Sequence, residues 1–176
     1  MDATQLRRLC DREEIAFVLH EYCRALDAMD LDALAALFSE DCIVEYGPEE
    51  RLKSRGRAAI RKALERLWRW KRTSHHLANI QITFRDDGEA DARSYVIAWH
   101  ERPDGSTATL YGQYEDRLKR EAEGWRLIRR KQMMNGNDRG FTVNLFPAPR
   151  REPPPGWVAP DIDHPLRSSR SPETSR

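Results

Sequence analysis

No run of about 18 apolar residues occurs in this chain, so no membrane-spanning helix is expected. Net charge is almost absent as well. The 30 Lys+Arg against 29 Asp+Glu leave +1, which gives no general attraction to nucleic acid or to a membrane surface. Cysteine is scarce: Cys10, Cys23 and Cys42 are odd in number, far apart and form no CxxC pair. Neither a disulfide framework nor a structural zinc site is expected from them. The opening MDATQLRRLCDREE has no apolar stretch behind its basic residues and does not read as a secretory signal. A reducing cytoplasm is the expected setting. Proline is rare at first and then abundant, with eight of the ten between Pro147 and Pro172. That stretch ends SSRSPETSR and has too little apolar surface to offset its ordering entropy. The 176 residues are therefore expected to form one domain over 1–146 and a mostly disordered tail over 147–176, where Trp157 and Val158 could dock locally.

Periodicity divides the domain into two halves. Asp11 and Glu14 have the spacing of a capping box and predict the start of a first helix. Ile15, Val18, Leu19, Tyr22 and Leu26 then follow a 3.6-residue period. A short second helix is predicted over Leu31–Phe38 with Asp30 as its cap, then a strand over Cys42–Tyr46. A third helix is predicted from about Arg57 to Trp70. Segments 75–85, 90–102, 107–120 and 125–134 are rich in β-branched and aromatic residues and are separated by hairpin signals such as Asp86-Asp87-Gly88 and Pro103-Asp104-Gly105. Helices followed by an antiparallel meander predict an α+β fold: a curved sheet with about three N-terminal helices laid across its concave face, enclosing a pocket at the open end.

The titratable residues that could share that pocket carry the chemical reading. Asp27 ends the first helix, roughly 100° from the centre of the apolar stripe, and could equally be a solvated helix-end aspartate. His75 and His76 open the first long strand and must point to opposite faces. Parity groups His75 with Leu77, Asn79 and Gln81, and His76 with Ile80, Ile82 and Phe84. That favours His75 for a polar pocket, although parity does not say which face is the pocket, and a satisfied structural histidine is the alternative for either residue. His100 follows Trp99 at the end of the next strand, whose apolar residues occupy both parities and predict cover on both faces. Tyr22 and Tyr46 add phenolic hydroxyls. A histidine base works near neutral pH, a carboxylate on its other ring nitrogen fixes the tautomer, and a phenol can hold a carbonyl oxygen that gains charge. As a set these residues suit proton abstraction beside a carbonyl, followed by elimination or isomerisation. Arg61-Lys62, Arg66, Arg69, Lys71 and Arg72 read as the solvated face of the third helix.

Several stretches in this order resemble the SnoaL-like branch of the nuclear-transport-factor-2-like superfamily. They include Arg12-Glu13-Glu14-Ile15, Tyr22 with Asp27, Leu34 to Asp41, Gly56 to Ile60, His75 to Asn79, Ala92 to Tyr95, Gly112 to Arg117 and Gly124 to Leu127. The resemblance spans roughly 5–137 and implies a cone-shaped α+β barrel. Within the family the pattern is most similar to the dehydratase group that includes scytalone dehydratase and bile acid 7α-dehydratase, which uses an Asp–His pair without metal or cofactor. Asp27 and His75 match that pair, Tyr22 matches a tyrosine of the bile acid enzyme, and Tyr46 and His100 match the spacing of the tyrosine and second histidine of scytalone dehydratase. Arg130 matches a functional arginine of a related dehydrochlorinase. The resemblance thus implies Asp27, His75, Tyr22, Tyr46 and His100 as catalytic, with Arg130, Asn79 and Trp99 expected to bind substrate and no cofactor or metal required.

The leading expectation is a cofactor-independent lyase or isomerase acting on a small apolar cyclic or aromatic compound. One alternative is a non-catalytic subunit or binding module, as in the small subunits of ring-hydroxylating dioxygenases. Another joins His75, His100 and Asp27 as an iron-binding facial triad. A homodimer or homotrimer is expected, because strands apolar on both parities often bury their outer face in a partner copy. Nucleic acid and membranes are not expected partners.

Overall fold

A computed structural model describes residues 2–85, 88–138, 140–143, 145–149 and 152–157. Helix α1 (Ala3–Asp27) and the short α2 (Leu31–Ala36) lead into strand β1 (Phe38–Glu45). A one-turn 3₁₀ helix (Glu50–Leu52), β2 (Lys53–Arg55) and α3 (Arg57–Leu64) follow. The chain tightens into a second 3₁₀ helix (Glu65–Arg69) before four long strands: β3 (Arg72–Phe84), β4 (Glu89–Glu101), β5 (Thr107–Glu121) and β6 (Gly124–Asn137). A final β7 (Phe146–Pro147) pairs in parallel with β6. The strand order β2-β1-β6-β5-β4-β3 makes one curved mixed sheet with open ends rather than a closed barrel. The α+β class and cone-like architecture agree with the sequence reading.

The apolar stripe of α1 is the core's helical side. Ile15, Val18, Leu19, Tyr22 and Leu26 are all buried. The helix starts earlier than its spacing predicts. Asp2 is the cap, accepting from the Gln5 backbone N–H at 2.8 Å while the Gln5 side chain accepts from the Asp2 N–H at 3.0 Å. Asp11 lies mid-helix instead, accepting from Trp125 Nε1 at 3.2 Å and paired with Arg120. Its charge ties the helix to the sheet rather than starting it. Asp30 does cap α2, accepting from the Ala33 N–H at 3.1 Å.

Along β4 the even positions Ala90, Ala92, Ser94, Val96, Ala98 and His100 are buried, whereas Tyr95 and Ile97 are exposed on the outer face. Among the described residues, the cover on the outer face that the apolar pattern predicts is therefore absent. The parity of β3 is broken by a bulge. Between Ala78 and Gln81 the strand advances three residues while β4 advances two, from Tyr95 to Arg93. Asn79 takes up the extra residue with a left-handed backbone, φ 52°. A second irregularity lets β6 place both Leu127 and Arg130 on the inner face, opposite Leu118 and Asp116. Bulges of this kind re-aim side chains within a sheet.

The expected boundary at residue 146 falls within β7. The Ala148 N–H also bonds the Met134 carbonyl, so the ordered pairing runs just past it. Trp157 is exposed. Residues 158–176 of the expected tail, including Val158, lie outside the described residues. Among the described residues no helix is long and apolar enough to cross a membrane.

Candidate active site

Helix α1 ends at Asp27, and strand β3 begins beside it. The Asp27 carboxylate accepts three hydrogen bonds from β3: Thr73 Oγ1 at 2.7 Å, the His75 backbone N–H at 2.8 Å and His75 Nδ1 at 2.6 Å. Burial alone would raise the Asp27 carboxyl, but the bonds and charge of His75, with Thr73, hold it below its ordinary value. The carboxylate can only accept, so Nδ1 carries the proton of the neutral ring. Nε2 is then the lone-pair nitrogen left for the cavity that His75 lines. The bulge at Asn79 explains why His75 shares the inner face with Ile82 and Phe84 despite opposite parity: before it His75 faces Ala98, and after it Ile82 faces the buried Ala92.

The cavity measures about 420 Å³ and lies between the sheet's inner face, the end of α1 and the α3–3₁₀ segment. His100 lines it, edge-on to His75 with ring centroids 5.5 Å apart. Its Nδ1 donates to the Ala108 carbonyl at 3.3 Å, which leaves Nε2 as an acceptor. Burial first, then the neighbouring His75, lower its pKa to about 4. His100 is therefore a neutral ring at neutral pH, suited to accept a hydrogen bond and poorly suited to store a proton.

Tyr22 and Tyr46 meet across the cavity wall with their hydroxyl oxygens 2.6 Å apart. Burial pushes both phenols above their ordinary pKa, Tyr46 well above it, so both stay protonated. Two hydroxyls sharing one hydrogen bond leave one O–H free to donate to a ligand. Behind Tyr22 lies Arg130, fully buried and bonded twice to Asp116, at 2.7 Å from Nε and 2.7 Å from Nη2. Its guanidinium stacks 4.0 Å from the Tyr22 ring centroid and 4.2 Å from that of Tyr114. Arg130 thus supports the wall from behind and does not line the cavity.

Two further expectations are corrected. Asn79 is exposed at the bulge, where its side chain tolerates a left-handed backbone. Trp99 has the parity of the outward-facing Tyr95 and Ile97 and lies outside the cavity. His75 and His100 share the cavity, but Asp27 is engaged with His75 Nδ1 rather than converging with both rings on one point. The facial-triad arrangement is therefore not assembled, and no metal-holding group of three His, Cys, Asp or Glu occurs among the described residues.

Sequence reasoning missed part of the lining: Trp70, Tyr114, Gln132 and Phe141, and the arginines Arg51, Arg66 and Arg69. The signal available was the spacing Leu64, Leu67, Trp70. Leu64 ends α3, Leu67 lies in the 3₁₀ turn and Trp70 follows it with an extended backbone, and all three turn onto the cavity. Arg66 and Arg69 form a parallel row and also line the cavity, so they are not simply a solvated face.

Fold and site together define an α+β cone enclosing a helix-held carboxylate–imidazole pair. Residues 7–131 match the SnoaL-like domain, and the chain belongs to that family, within the nuclear-transport-factor-2-like superfamily. A crystal structure of a candidate scytalone dehydratase from Novosphingobium aromaticivorans is 33% identical, covers 82% of this chain and 97% of its own, and superposes with a TM-score of 0.77. A candidate aromatic ring hydroxylase from the same organism is 27% identical over 70% of this chain and 88% of its own, with a TM-score of 0.66. The hexachlorocyclohexane dehydrochlorinase of Novosphingobium barchaimii, 16% identical over 82% of this chain and 99% of its own, shares the fold with a TM-score of 0.70. No functionally curated protein matches the sequence.

Proposed function

We propose that the protein is a cofactor-independent lyase, a dehydratase in the first instance, or an isomerase, acting on a small cyclic or aromatic hydroxy-carbonyl compound. The observation that carries the reading is the 2.6 Å bond from His75 Nδ1 to Asp27, which leaves Nε2 as a base in a 420 Å³ cavity. Nε2 removes the proton on the carbon next to the carbonyl, and the C–H electrons form an enolate. The free hydroxyl of the Tyr22–Tyr46 pair donates to the enolate oxygen. Collapse of the enolate forms the carbon–carbon double bond and breaks the bond to the departing hydroxyl, which takes the proton from His75 and leaves as water. Asp27 stabilises the imidazolium between the two steps. His100 accepts from a substrate hydroxyl and orients it.

The 33% identity to a candidate scytalone dehydratase supports this chemistry over others open to the fold. The test is dehydration of a panel of cyclic β-hydroxy ketones, followed by the absorbance of the conjugated product. Wild type should turn over at least one member, and Asp27→Asn and His75→Ala should lose that activity. Full turnover by both variants would end the reading.

A second reading, a non-catalytic subunit or binding module, is favoured by the 27% identity to a candidate aromatic ring hydroxylase. Stable co-purification with a large iron–sulfur subunit, without turnover by the chain alone, would support it. Either reading is compatible with a homo-oligomer built on the outer sheet face, where Tyr95, Ile97 and Tyr111 are 41%, 47% and 47% exposed on adjacent strands.

A further inference from the structure

The charge distribution around the cavity is one-sided. Arg51, Arg66 and Arg69 line it, whereas no Asp or Glu does among the described residues. Arg51 is neutralised by Glu49 at 2.6 Å. Arg66 and Arg69 have no acidic partner among the described residues. Their guanidinium carbons lie instead over aromatic rings, Arg66 at 5.2 Å from the Tyr46 centroid and Arg69 at 5.2 Å from that of Trp70. Both rings belong to the cavity wall. Arg102 also packs over Trp70, at 4.8 Å, and brings a further positive charge to the same rim. Burial and the charges of Arg66, Arg102 and Arg51 push the Arg69 guanidinium below its ordinary value. Like charges gathered this way destabilise the free protein unless something negative binds between them.

The local backbone is what brings the two together. Residues three apart eclipse in a 3₁₀ helix, so Arg66 and Arg69 project in register, beside the inward row Leu64, Leu67 and Trp70. An apolar wall next to two unpaired guanidinium forks is complementary to a ring system bearing an oxyanion, because arginine binds carboxylate and phosphate through paired N–H donors.

We propose that the substrate is anionic: its carboxylate or phosphate is held by Arg66 and Arg69 at the rim while its ring reaches inward to His75. The proposal rests on the reading of this cavity as the substrate site, but not on the chemistry assigned to Asp27 and His75. It adds a charged group to the small, mostly apolar cyclic or aromatic ligand expected from the sequence.

The test is calorimetric binding of three probes that differ in one group: 2-naphthoate, 2-naphthyl phosphate and the neutral 2-naphthamide. Wild type should bind one or both anions roughly tenfold or more tightly than the amide, as charge-assisted hydrogen bonds predict. The preferred anion identifies the oxyanion. R66Q/R69Q should lose the preference while keeping its affinity for the amide. H75A should keep the preference, which separates this proposal from the acid–base reading. In wild type, raising salt to roughly 0.5 M should weaken the anions and leave the amide unchanged. Equal affinity for acid and amide, failure of all three probes to bind, or a preference that survives in R66Q/R69Q or at high salt would overturn it.

Discussion

Asp27 holds His75 twice, accepting from its backbone N–H at 2.8 Å and from its ring Nδ1 at 2.6 Å. One carboxylate thus fixes both the strand and the imidazole it presents. In Asp27→Asn the amide can still accept from the strand, but its N–H₂ faces Nδ1 and drives the ring proton onto Nε2. On the proposed chemistry the base is then lost without loss of the fold. The expected result is a fall in kcat of ~10²–10⁴-fold with near wild-type circular dichroism. Nitrogen-15 NMR of the ring should report the changed tautomer.

The same carboxylate gives stability a sign with pH. Its folded pKa is below the ordinary value, so the unfolded chain takes up this proton first as pH falls. Asp27 therefore adds stability above the ordinary carboxylate pKa, and the contribution is lost as pH falls through the lower, folded value. Acid denaturation followed by fluorescence should show a shallower decline for Asp27→Asn over that window.

His100 acts higher on the pH scale. With its pKa lowered to about 4 by burial and by His75, it is neutral when folded and protonates more readily when unfolded. Its contribution is complete above the ordinary histidine value and declines as pH drops from there toward about 4. His100→Gln should flatten urea-unfolding stability between those limits by on the order of 2–3 kcal/mol.

Arg130 and Asp116 are both fully buried, so neither tolerates the loss of the other. Asp116→Ala leaves an uncompensated guanidinium beneath Tyr22, and the expected loss is about 3–5 kcal/mol. Replacing both by methionine and leucine should cost less than either single change. Urea titration of the three variants checks the order.

Asn79 tests the bulge. At φ 52° a β-branched residue is strained, so Asn79→Ile should lose roughly 1–2 kcal/mol while Asn79→Gly remains near wild type. Deletion of Asn79 should do more, because His75 and the Ile82–Phe84 stretch could no longer share one face. Thermal unfolding and the activity assay together read both effects.

These positions also mark where the sequence could be read and where it could not. The stripe of α1 is legible from its period because the helix has one buried face, and the four long strands from their β-branched and aromatic content and the turn signals between them. Asp27 and His75 can be singled out by residue type, but Asp27 sits at a stripe margin and His75 has the parity opposite to the half-buried Ile82 side. Only the extra residue at Asn79 reconciles them, and a bulge has no periodic signature. The outer face of β4 is itself apolar, so sequence pattern does not separate Trp99 from the cavity wall. The sequence predicts an α-helix where the backbone tightens to 3₁₀, and on an α-helix Arg66 and Arg69 belong to the solvated face.

The segment after β6 crosses the open side of the cone. Gly140 lets it pass close to β5, since a Cβ there would run into the Thr107 carbonyl, and Phe141, Val143 and Leu145 then close part of the cavity. All of these lie beyond residue 131, where the match to the shared domain stops. Part of the cavity wall is therefore supplied by a stretch of chain separate from the one that holds Asp27 and His75. Substitutions at Phe141, Val143 or Leu145 can reshape the cavity without touching that carboxylate–imidazole pair.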